Sequence, residues 1–284
     1  MAGTDEDVVA AADDALYVLT AVLLTPAQFP SVLGDDYPEA CAALGLAPLA
    51  DGYGLVIGQD GSGARWTVVV DDVSLVAVAI ASWDCGMEYD LSPEEHTVVA
   101  ALAGWPLPVA VAAPGVPAPH DPDPEIADGP PLAPPDTSTW GSAQRRLGAD
   151  EIALQWATWR SQIDDAAFSN PDGGSAEDDG SADEAEATVE TEAPKRHSGI
   201  RRVLAEARAY VESPPPLGRV RSSFASGEAR TLRADGPGWS LVARTDDIAF
   251  VLLDDEPGEV LPVGRGPELP GLLDALDKMA VRPS

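Results

Sequence analysis

Residues Arg219 to Asp255, RVRSSFASGEARTLRADGPGWSLVARTDDIAFVLLDD, constrain the fold more than any other stretch. Val220 to Phe224, Trp239 to Ala243 and Ile248 to Leu253 each have strand length and are rich in β-branched, aromatic or leucine side chains. Turn chemistry separates them: Ser226-Gly227, then Asp235-Gly236-Pro237-Gly238, then Asp246-Asp247. Such short polar connections enforce antiparallel pairing. The stretch therefore reads as a β-meander, closed by a terminal helix from about Glu268 to Val281 with Leu269, Leu272, Leu273, Leu276 and Met279 on one face.

An earlier stretch repeats this order. Asp60-Gly61-Ser62-Gly63 precedes Trp66, then Val68 to Val70, then Asp71-Asp72, then Val73 to Ile80. Turn, tryptophan, strand, Asp-Asp, strand recur, which is either an internal duplication or two hairpins that share turn residues because the same physics selects them.

The rest of the chain gives mostly helical expectations. Residues 7–24 place apolar side chains at intervals of three and four and are predicted helical, stopped by Pro26. Tyr37 to Leu44 is a short helix. Gly54 to Ile57, Arg65 to Val70 and Val73 to Ile80 read as strands, and Ser92 to Leu102 as a helix capped by Ser92 with Pro93 in its first turn. Pro106 to Pro135 has no periodicity and is a proline-rich linker or surface crossing. Trp140 to Phe168 is helical again, and Ser198 to Val211 is a helix ended by Pro214-Pro215-Pro216. The expected divisions are an N-terminal α+β half (1–112), the linker (113–139), a helical segment (140–169), a disordered acidic insert (170–197) and a C-terminal α+β half (198–284).

Charge limits the partners. The net charge of −31 argues against nucleic-acid phosphates and anionic membranes. Residues 172–193 hold nine acidic residues and no basic one, too polar a composition to offset chain entropy. Residues 195–244 hold ten of the 17 basic residues, so the acidic run is a candidate partner for the helix carrying Arg201, Arg202 and Arg208. Cys41 and Cys85 alone make neither a disulfide framework nor a metal site and fit a reduced cytoplasmic setting. No secretory leader and no run long enough to cross a bilayer is expected.

Catalytic signatures do not emerge. The glycine-rich GQDGSGARW at 58–66 leads into a strand rather than a helix, so it reads as a hairpin turn and not a phosphate loop. His96, His120 and His197 lack ligand spacing. The Asp pairs are scattered at element ends, and no serine or cysteine has the context of a nucleophile. No enzyme, cofactor or metal is expected. Trp156 and Trp159 share a helical face with Ile152 and Ile163, either as core or as an aromatic partner-binding patch.

The opening helix with its tail (Ala15-Leu16, Leu19, Val22-Leu23, then Phe29-Pro30 and Val32-Leu33), the C-terminal run through Val220-Arg221, Ala225 to Glu228, Trp239 to Val242 and Ile248 to Leu253, and the apparent duplication together resemble the EspG-type chaperones of type VII (ESX) secretion in actinobacteria. The resemblance covers about half the chain. It departs from that family in the short segment from Asp35 to Asp51, the proline-rich stretch and the acidic insert. It implies two quasi-twofold halves around a central sheet, and a cytosolic protein that binds helical PE–PPE-like secretion substrates through apolar contacts. The expectation is thus an α+β fold with a mainly antiparallel central sheet built from two quasi-repeated halves, and a non-catalytic protein-binding role. The expected contact residues are Trp156, Trp159, Leu269, Leu272, Leu273 and Leu276. The alternative is an acidic immunity or regulatory protein that masks a basic partner surface, which salt-sensitive binding would favour.

Overall fold

The computed structural model describes residues 15–34, 36–87, 90–163 and 189–283, with side chains from 198 in the last of these. The fold is α+β with antiparallel sheets, and it forms two units, Met1–Asp136 and Thr137–Ser284.

The first unit is built on a four-stranded sheet in the order β1 (Tyr17–Leu24), β2 (Tyr53–Gln59), β3 (Arg65–Val70) and β4 (Val98–Ala103). Helix α1 (Tyr37–Ala43) lies between β1 and β2, and α2 (Val73–Asp84) between β3 and β4. One sheet face packs Leu55, Ile57 and Val69 with Tyr37, Cys41 and Phe29. The other packs Val56, Val68 and Val70 with Val76 and Ala79 of α2. The β2–β3 turn is local chemistry. Asp60 Oδ1 accepts the Ser62 and Ala64 N–H groups at 3.0 and 2.9 Å, Oδ2 accepts the Trp66 indole N–H at 3.0 Å, and Gly63 supplies the positive φ of 96°.

The second unit holds a five-stranded meander: β5 (Val220–Ser226), β6 (Ala229–Gly236), β7 (Trp239–Arg244), β8 (Ala249–Leu253) and β9 (Leu261–Val263). Helices α3 (Ser142–Leu154) and α4 (Trp156–Ser161) cover one face through Ile152 and Trp156 against Val242, Phe250 and Leu252. Helices α5 (Val189–Glu212) and α6 (Leu269–Met279) cover the other through Val203, Ala207, Leu273 and Leu276 against Leu232, Trp239, Leu241 and Val251. Both faces being covered, β7 and β8 are buried almost throughout. Each fully buried leucine, valine or phenylalanine contributes about 1.5–3 kcal/mol.

Four expectations are corrected. The predicted helix over 7–24 is a strand from Tyr17 on, its first residues falling outside the described ones. β1 feeds both cores, with Leu19 and Val22 on one face and Val18, Ala21 and Leu23 on the other, and a strand covered on both sides has the unbroken apolar run of a buried helix. The predicted strand Val73 to Ile80 is helix α2. Asp72 Oδ1 accepts the Leu75 N–H at 3.1 Å, so the Asp-Asp pair is a helix cap and not a strand-to-strand turn. The predicted helix Ser92 to Leu102 is a 3-10 turn at Glu95–Thr97 followed by β4. Ser92 does not cap it, its N–H being held by Asp90 Oδ1 at 3.0 Å, and Val98 to Ala103 pair with β3.

The single central sheet from two repeated halves is, fourthly, two separate sheets. The β2–β3 and β6–β7 hairpins share Asp, Gly and Trp in sequence but not in structure. Asp60 to Ala64 link Gln59 to Arg65, and Trp66 donates to Asp60, whereas Pro237-Gly238 alone link Gly236 to Trp239, which donates to Glu206 of α5. They diverge again at the following aspartates. Asp72 starts a helix, whereas Asp246-Asp247 make a tight return in which the Asp247 N–H donates to the Arg244 carbonyl at 3.1 Å and β8 pairs with β7. Strands β6 and β9 were not expected. Most of the acidic insert, and with it the proposed pairing to the basic helix, lies outside the described residues.

Candidate functional site

Five of the six expected contact residues are buried, and the sixth, Trp159, packs on the same interior. Trp156 is 8% exposed, meets the Phe250 ring edge-on at 5.2 Å, and donates its indole N–H to Asp247 Oδ2 at 3.4 Å. Trp159 is part-buried on the same cluster. Leu269, Leu272, Leu273 and Leu276 are all buried between α6 and the sheet. An apolar stripe at helical spacing is the same signal whether a sheet or a partner covers it, and here the sheet does.

A charged cluster lies between α3 and the sheet of the second unit. Asp235 is 3% exposed; its Oδ2 pairs with Arg146, 1% exposed, and with Arg221 at 3.5 Å, and its Oδ1 accepts the Ser240 hydroxyl at 2.7 Å. Arg145 donates to Ser240 Oγ at 3.1 Å and pairs with Asp254, and Arg233 pairs with Asp150 of α3. Burial lowers the Arg221 and Arg233 guanidiniums to about 10, so both stay charged at neutral pH. These four guanidiniums and three carboxylates pair with one another inside the fold. Their geometry orients α3 on the sheet and offers no opening to a substrate.

Other sequence candidates are structural. His96 is exposed, with Nδ1 3.2 Å from Glu94 Oε2. His120 serves through its backbone, its carbonyl accepting the Arg65 N–H at 3.1 Å. The His197 side chain lies outside the described residues. Cys41 is buried, and burial pushes its thiol up, while Cys85 is exposed. Among the described residues no three metal-ligating side chains gather, and no helix is long and apolar enough to cross a membrane.

The exposed apolar surface of the first unit has a different character. From Val73 to Trp83, α2 carries no charge, and it is apolar nearly all round, an arrangement normally found in a buried helix. Yet only its Val76 and Ala79 side is buried. Ser74, Val78 (53% exposed), Ala81 and, just past its end, Cys85 form an outward stripe at spacings of four, three and four. Strand β4 is also uncharged, with Val98, Val99 and Ala101 exposed. In sequence, Met1–Asp136 holds 22 acidic residues and one basic residue, Arg65. That arginine is itself paired with Asp121 and lies over the Trp105 ring at 5.4 Å. Sequence reasoning missed both elements. It read α2 as a strand and β4 as a helix, and assigned neither an exposed face.

No protein-family model, curated protein or solved structure matches the chain.

Proposed function

We propose that this chain is a non-catalytic protein-binding protein that keeps an apolar helical partner soluble, in the manner of the type VII secretion chaperones that parts of its sequence resemble, and that it does so in the cytoplasm. The observation that carries the reading is the outward stripe of α2. Ser74, Val78, Ala81 and Cys85 are small or β-branched, uncharged and exposed, and small side chains let a second helix approach closely. The resemblance loses the support of a duplicated central sheet, so the contact surface is assigned to the first unit and not to the C-terminal helices.

Coexpression with an aggregation-prone helical protein of the PE–PPE type tests it. The wild-type chain holds the partner in the soluble fraction, and Val78→Asp with Ala81→Asp loses that effect while the chain itself remains folded, both positions being exposed. Solubilisation unchanged by the double substitution would remove α2 from the account. A second reading, the masking of a basic partner surface, draws on the balance of 22 carboxylates to one arginine in the first unit. Binding that weakens about tenfold or more between low and high salt favours masking; salt-insensitive binding favours the apolar contact.

A further inference from the structure

We propose that the outer edge of β4 takes up an extended, basic segment of a partner protein, which joins the sheet of the first unit as an added strand. The inference rests on the reading of the chain as a polypeptide binder, but it concerns a surface other than the α2 stripe.

The Gly104 N–H donates to the Arg65 carbonyl of β3 at 2.7 Å, and Leu102 and Ala100 stand opposite Thr67 and Val69. In an antiparallel ladder the residues between them, Ala103 and Ala101, turn their N–H and C=O groups away from β3. The Ala103 carbonyl points outward as expected, for it accepts the Leu132 N–H at 2.7 Å. Among the described residues nothing takes the N–H and C=O of Ala101, and Ala101 and its neighbours Val98 and Val99 are exposed. Alternating donors and acceptors on an open strand are complementary to one kind of ligand, another extended chain.

The edges of the second unit's sheet are closed by comparison. The edge of β5 is occupied by Val281, whose carbonyl accepts the Ser222 N–H and whose N–H donates to the Val220 carbonyl, both at 3.0 Å. β9 carries Pro262, which has no N–H to offer. No residue of β1 is exposed. A strand edge left open is usually guarded by lysine or proline, and β4 has neither.

Charge selects the occupant. Glu94 and Glu95 are exposed just before β4, and the Asp71 N–H donates to the Thr97 carbonyl, which brings a third exposed acidic residue to the same end. An incoming strand therefore needs small or β-branched residues opposite Val98 to Ala101 and lysine or arginine beyond them. A second copy of this chain, with its excess of carboxylates, is repelled. The β-bulge at Val99, where the register against β3 shifts, keeps the regular ladder short, so binding is modest and salt-dependent.

The test uses the full chain, isotopically labelled for amide exchange, and two synthetic peptides with the same alternating valine–threonine core, one flanked by lysine and arginine and one by glutamate. The basic peptide is expected to slow exchange of the Ala101 amide by about tenfold or more, and the acidic peptide to leave it unchanged. Ala101→Pro removes the outward donor without removing a bond to β3 and abolishes binding. Ala101→Lys, which retains the N–H, weakens the basic peptide by charge. Binding of the basic peptide to Ala101→Pro as to wild type, protection elsewhere than β4, or equal binding of the acidic peptide overturns the proposal. If the wild-type chain solubilises a helical partner on coexpression but binds neither peptide, the edge site falls and the polypeptide-binding reading stands.

Discussion

Replacing Asp235 by alanine tests whether the buried charges hold the second unit together. The carboxylate is 3% exposed and is shared by two guanidiniums, Arg146 and Arg221, while its other oxygen accepts from Ser240. Deleting one partner of a buried ion pair typically costs about 3–5 kcal/mol, because the remaining charge has lost its compensation inside the protein. Here two arginines lose the same partner and Ser240 loses an acceptor, which adds about 1 kcal/mol and places the expectation near the upper end, roughly 5 kcal/mol. With a urea dependence of about 2 kcal/mol per molar for a unit of this size, the midpoint falls by roughly 2.5 M. Urea titration of the second-unit transition, with hydrogen exchange at the β6 and β7 amides to assign it, reads the shift. Asp235→Asn retains a hydrogen-bonding side chain and lies between. Asp121→Ala breaks the half-exposed pair with Arg65 and costs less than about 1 kcal/mol. Joint replacement of Arg146 and Arg221 by methionine and Asp235 by leucine recovers most of the loss, since an apolar set of similar volume needs no counter-charge. A midpoint drop below about 0.5 M for Asp235→Ala would refute the argument, for it would mean that water reaches these guanidiniums and solvates them.

Two further outcomes follow from local geometry. Asp247 is partly buried, which by itself raises its pKa, but hydrogen bonds from Arg160, the Ile248 N–H and Trp156 outweigh burial and hold the carboxyl below its usual value. A depressed folded pKa gives stabilisation that is complete above the unfolded value of about 3.9 and is lost as pH falls through the folded one. Asp247→Asn should therefore cost about 1 kcal/mol near pH 6, and the difference from wild type should shrink as pH falls below the unfolded value of about 3.9; a difference constant with pH would contradict this. At Gly104, φ is +82° and an added Cβ lies 2.4 Å from the Leu132 carbonyl oxygen, so Gly104→Ala strains the backbone by about 1–3 kcal/mol and drives Leu132 off the β4 edge. Faster exchange of the Leu132 amide checks it, and unchanged exchange would show that the segment accommodates the methyl group.

What could be read in advance depended on whether the information was local. The Asp60 turn and the Asp235–Gly238 turn were legible because both are local: the Asp60 carboxylate folds back on its own backbone, and Pro237-Gly238 makes a two-residue return with Gly238 at a positive φ. The meander over β7 and β8 was legible for the same reason, its turns fixing the pairing. β6 was missed because Arg233 and Asp235 look like surface residues, and only the arrival of Arg146 and Asp150 from α3, more than 80 residues away, buries Asp235 and half-buries Arg233. The same dependence on distant elements explains the contact surface. The leucines of α6 and the tryptophans of α4 have an apolar stripe, yet a stripe does not say what covers it, and a sheet covers these. Helix α2 carried the opposite signal, eleven uncharged residues with no polar side at all, too much apolar surface for one sheet face to bury. That excess could be recognised only once Asp72 was understood as a cap. The 22-to-one charge balance was likewise present from the start, but it becomes an argument about a partner only when the chain is divided after Asp136, because the basic residues of the second unit otherwise dilute it.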